Sequence, residues 1–124
     1  MKYLNKLIGI VIFFALLSTA LCADKKVTIE VDYGGLHQNQ KAEVAWKHGI
    51  TALEILQSVA KVKTQQKGEH FMVTSIDSIE GQIEGKVWYY DINGKRATSF
   101  ANKYILKEGD YMKWEYTKDV CSPK

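Results

Sequence analysis

One amphipathic helix laid on a mostly antiparallel sheet, an α+β domain, is the fold class the sequence predicts. Three observations predict it. An early run alternates apolar with polar residues, the period then changes once to that of a helix, and several short strand-like runs separated by turn signals follow.

Residues 1–23 precede all of this. Lys2 and Lys6 stand ahead of an apolar run from Leu7 to Leu17, and small residues follow. That order reads as a secretory signal peptide, and the run is short of the roughly 20 apolar residues a membrane span needs. Export to the periplasm or the cell exterior is therefore expected, with no membrane span in the mature chain. A lipid anchor on Cys22 is the lesser alternative, because Leu21 stands where a lipoprotein signal wants a small residue. Residues 24–124 then form a single domain. Of the 17 basic residues two fall in the leader, which leaves 15 against 14 acidic ones. A domain so nearly neutral gives no reason to expect a nucleic-acid partner. If Cys22 leaves with the leader, Cys121 has no partner in its own chain and no disulfide staples the fold.

The first strand is K-V-T-I-E-V-D-Y, residues 26–33, with Val27, Ile29, Val31 and Tyr33 on one face. Gly34-Gly35 opens a polar loop, and K-A-E-V-A-W resumes the alternation, so the two runs form a hairpin. Thr51 followed by Glu54 writes a capping box, in which each side chain satisfies a free amide of the first helical turn, and Ile50 can staple onto Ile55. Leu53, Leu56 and Ala60 continue an apolar stripe, so the spacing predicts a helix from 52 to about 63, with Gly68 as its stop. F-M-V-T-S-I-D-S-I-E-G reads as a strand with mixed faces. K-V-W-Y-Y-D-I ends at Asn93-Gly94, a strong hairpin signal. Y-M-K-W-E-Y-T-K closes the domain with Met112, Trp114 and Tyr116 on one face. Strand pairs before and after one helix make the pattern β-grasp-like.

No catalytic constellation is written in the chain, so no enzyme activity and no intrinsic cofactor are expected. His37, His48 and His70 lie in separate segments, with no second ligand at metal-binding spacing. Glu80 and Glu84 flank a glycine-bearing turn, where exposed charges are ordinarily solvated. The aromatic run carries more. In a strand, Trp88, Tyr90 and Ile92 face one side and Val87, Tyr89 and Asp91 the other. The first set is expected toward the helix and Tyr89 outward. Trp114 reads as core. Tyr89, Phe100, Tyr104 and the Asn93-Gly94 turn make a candidate recognition surface, since aromatics with polar handles give contact area at low entropic cost. Pairing at an exposed strand edge is a further route to partner binding.

Taken in order, V-T-I-E-V-D-Y-G, G-I-T-A-L-E-I-L, I-D-S-I-E-G, W-Y-Y-D-I-N-G-K-R-A, N-K-Y-I-L-K-E-G-D and K-W-E-Y-T resemble the transcobalamin-like C-terminal domain family, over residues 26–118. The resemblance implies a soluble-ligand-binding β-grasp fold. It also implies a ligand rim at Trp88, Tyr89, Tyr90 and Asn93 together with the segment from Thr98 to Tyr104, which holds Phe100 and Tyr104. In the animal vitamin B12 carriers of that family this domain is one side of a clamp around cobalamin, and a helical domain is the other. The implied function is a small exported, non-catalytic module binding cobalamin or a related corrinoid, with a protein partner completing the site. The alternative is a surface or periplasmic interaction module that binds a protein or polysaccharide.

Overall fold

The computed structural model describes residues 25–119, so the leader, Cys22 and Cys121 lie outside the described residues. Its elements are β1 (Lys26–Asp32), β2 (Gln40–Ala45), α1 (Ala52–Val59), β3 (Val62–Lys67), β4 (His70–Ile76), β5 (Ile79–Glu80), β6 (Lys86–Ile92), β7 (Lys95–Arg96) and β8 (Tyr111–Lys118). A five-stranded sheet runs β2-β1-β8-β6-β7, and a smaller one runs β3-β4-β5. β1 and β8 are parallel neighbours, and the other pairings are antiparallel.

The expected α+β class is overturned. The molecule is a β-rich, two-sheet fold in which the helix has only eight residues. The capping box is present, with Glu54 N–H donating to Thr51 Oγ1 at 3.2 Å and Thr51 N–H to Glu54 Oε1 at 3.1 Å. The far end departs from expectation: Ala60 is already extended, and residues 62–67 form β3 instead of two more helical turns. The lysines and glutamines of V-K-T-Q-Q-K have good helix propensity, but Val62 and Thr64 alternate with exposed neighbours and pair with β4. Tertiary pairing outweighs propensity of that size. Gly68, at φ 63°, makes the hairpin turn between β3 and β4.

The core is the inner face of the large sheet, capped by a second layer. Ile29, Met112 and Ile92 stand side by side across β1, β8 and β6, as do Val31, Trp114 and Tyr90. Ala52, Leu53, Ile55 and Leu56 of α1, Ile76 and Ile79 of the small sheet, and the loop residues Ala101 and Leu106 complete the same buried cluster. Two aromatics lock the layers together. Trp88 Nε1 donates to the carbonyl of Ile79 at 2.9 Å, and the Tyr116 hydroxyl donates to the carbonyl of Glu80 at 2.9 Å. Rings that bury apolar area while keeping a polar tip suit such a seam. Trp88, Tyr90 and Ile92 are buried and Tyr89 is half exposed, as the alternation requires.

Candidate ligand cleft

A cleft of about 200 Å³ opens where the layers separate at the β6 end of the large sheet. Phe71, Met72 and Val73 of β4 form one wall and Trp88, Tyr89 and Tyr90 of β6 the other. The segment from Ala97 to Ala101 closes it, and Trp114 completes the lining.

That segment is irregular in backbone yet firmly tied. Ala97 N–H donates to the Tyr90 carbonyl at 3.0 Å, and the Tyr90 hydroxyl donates to the Ser99 carbonyl at 2.5 Å. The first amides of α1, which have no partner inside the helix, hold the segment's end and the residues just after it: Leu53 donates to Ala101 O at 3.0 Å and Ala52 to Tyr104 O at 2.9 Å. Asn102 bridges to the opposite wall, accepting from Phe71 N–H and donating to the Glu69 carbonyl. Phe100 stacks on His70 at 4.5 Å with 41% of its surface exposed, the most open aromatic of the rim.

Burial is the first cause, and the neighbouring Tyr104 the second, that push the Tyr90 phenol up to about 12. It is a neutral donor at any ordinary pH. Trp114 is 2% exposed and stacks on Tyr90 at 4.7 Å, but its indole N–H has no hydrogen-bond partner. A buried donor left unserved costs about 1–3 kcal/mol. Asp91 Oδ1 likewise lacks a hydrogen bond, but it lies 2.8 Å from Arg96 Nε and is served by that ion pair.

Four of the six rim residues expected from sequence, Trp88, Tyr89, Tyr90 and Phe100, meet at this cleft. Asn93 and Tyr104 do not. The Asn93 carboxamide donates to Asp110 Oδ1 and accepts from Tyr111 N–H, both at 2.9 Å, which holds a residue at φ 51° in the β6–β7 turn. Tyr104 stands edge-on behind Tyr90, ring centroids 6.3 Å apart. Phe71, Met72 and Val73 were legible only as part of a strand with mixed faces. Trp114, expected in the core, serves both core and cleft.

His37 and His48 pack edge-on against Tyr33 and Trp46, away from the cleft lining. Among the described residues no three His, Cys, Asp or Glu side chains converge to hold a metal ion, and no helix is long and apolar enough to cross a membrane.

Solved structures share this fold. A protein from Ruminococcus gnavus ATCC 29149, described as a candidate metal binding protein, superposes with a TM-score of 0.62 at 15% identity, covering 78% of this chain and 100% of that one. Haptocorrin in complex with Cbi superposes with a TM-score of 0.68 at 12% identity, covering 79% of this chain and 26% of its own length. The likeness expected from sequence therefore holds at the level of fold. No curated protein matches the chain. Residues 49–118, more than half of the sequence and spanning α1, the cleft and β8, match one family profile, and the chain belongs to that family, described as Domain of unknown function (DUF4430).

Proposed function

We propose that the protein is a small exported, non-catalytic ligand-binding module whose cleft takes the edge of a large ligand, with a corrinoid as the named candidate. The observation that carries this reading is the cleft itself: the buried rings of Trp88 and Tyr90 and the exposed ring of Phe100 line one space, and Trp114, whose indole N–H is unserved, completes its lining. Apolar walls with a few placed polar groups are the usual make-up of small-molecule sites. Its volume is below the roughly 300–1,000 Å³ of pockets that enclose a whole ligand, so the cleft suits one edge of a larger molecule, with a partner protein covering the rest. The fold shared with haptocorrin, solved with Cbi, supports the choice of candidate.

Calorimetric titration with cobalamin and cobinamide tests the proposal, since the corrin absorbs light and can imitate quenching of tryptophan fluorescence. Saturable heat at micromolar ligand is expected. Phe100→Ala should weaken binding by about five- to tenfold, the worth of one aromatic contact, with the thermal midpoint nearly unchanged. No heat up to millimolar ligand, or unchanged affinity in Phe100→Ala, would reject the corrinoid assignment.

A further inference from the structure

β2 is the outer strand of the large sheet: it pairs with β1, and among the described residues nothing pairs with its other side. The direction of its free groups follows from the ladder. Trp46 N–H donates to the Lys25 carbonyl at 2.9 Å in the β1–β2 register, so Gln40, Ala42 and Val44 turn their main-chain groups toward β1. Lys41, Glu43 and Ala45 turn theirs outward, and all three are exposed. An edge of unpaired N–H and C=O groups is a template for another strand.

A second observation selects the strand. On the outer face of the sheet one row of side chains crosses all five strands. Arg96 is opposite Asp91, Asp91 opposite Lys113, Lys113 opposite Glu30, and Glu30 opposite Lys41. The signs alternate without a break from β7 to β2. Opposite charges in such positions stabilise a sheet and like charges destabilise it. The row stops at Lys41, on an open edge, with Glu43 two residues further along the same strand and face.

We infer that β2 is a dimerisation edge, pairing antiparallel with β2 of a second copy about a two-fold axis at Ala42. Lys41 of each chain then stands opposite Glu43 of the other, and the alternating row continues into the second sheet. Because Lys41 and Glu43 carry the outward main-chain groups, each of these pairs exchanges both backbone hydrogen bonds. An axis at Lys41 or at Glu43 sets like charges against themselves. Moving it to Gln40 or Val44 leaves no opposite pair inside the strand. Ala42, at the axis, occupies the non-hydrogen-bonded position, where side chains approach most closely, and its methyl group leaves room. The Glu43 carboxylate already pairs with Lys26 at 3.8 Å, an exposed contact, and in this arrangement it serves Lys41 of the second copy as well. β2 lies at the opposite end of the sheet from β6 and β7, so the inference is independent of the ligand reading and leaves both clefts open.

Sedimentation equilibrium of the purified protein at low salt, over a concentration series reaching about 1 mM, is the test. The expected result is a monomer–dimer equilibrium that weakens as salt is added. Glu43→Lys turns both opposite-charge pairs into like-charge pairs and should weaken association about tenfold, as should Lys41→Glu. The double variant K41E/E43K restores complementarity with the signs exchanged and should return association to near the starting value. Circular dichroism confirms that each variant is folded. A protein monomeric at every concentration overturns the inference. So does a dimer indifferent to Glu43→Lys, or a folded double variant that stays monomeric.

Discussion

At Tyr90 a single side chain serves the core, the cleft wall and the loop that closes the cleft, through its stack on Trp114 and its bond to the Ser99 carbonyl. Its phenol, and that of Tyr33, are held neutral well above the ordinary tyrosine value, chiefly by burial and for Tyr33 also by the neighbouring Asp77 carboxylate. The sign follows directly. The folded state keeps a proton that the unfolded state gives up near pH 10, so the contribution to stability is intact below that pH and is lost as pH rises toward about 12. Alkaline titration followed by phenolate absorbance and circular dichroism should show Tyr33 and Tyr90 ionising together with unfolding. Tyr90→Phe should make the fall of stability above about pH 10 less steep. Full ionisation of every tyrosine with the native spectrum intact would contradict this. Asn93 teaches a different lesson: its place in the turn was legible in the sequence, but both ends of its carboxamide are spent on Asp110 and Tyr111. The residue type alone does not say whether an amide faces a ligand or the chain.

Elements show where sequence patterns suffice and where they fail. The β1–β2 hairpin, the capped start of α1, the inward and outward faces of β6 and the closing strand β8 all follow from periodicities that burial enforces on one face. The end of α1 does not. Beyond Val59 the residues are polar, the new strand is only half buried on one side, and its partner is β4, a contact that local pattern cannot express. The same blind spot hid the cleft, since its walls belong to different sheets. The capping box offers a direct check. Thr51→Ala removes the acceptor for Glu54 N–H and should cost about 1 kcal/mol in chemical denaturation, with the slope unchanged. It should also loosen the Ala97–Ala101 segment, because the next amides of that helix end hold Tyr104 and Ala101. Hydrogen exchange at Leu53 reads this out, and unaltered exchange there would separate the cap from the loop.

For the molecule as a whole, the inner face of the large sheet is the unit of stability, and its middle is the parallel pair β1–β8, in which Thr28 lies beside Tyr111. A chain truncated before Tyr111 should therefore show no cooperative melting, although it retains seven of the eight strands. A sigmoidal thermal transition in that fragment would refute this. The pairing also has a temporal meaning. A nascent chain emerges with its N-terminus first, and it can form the β1–β2 hairpin early but must wait for the last eight-residue strand before the buried rows can close. Loop-closure entropy across nearly the whole sequence has to be met at once, which places the domain among the slower folders of its size. Until Lys118 has left the ribosome the buried rows cannot close, and the apolar residues of β1 and β6 lack the strand that would cover them.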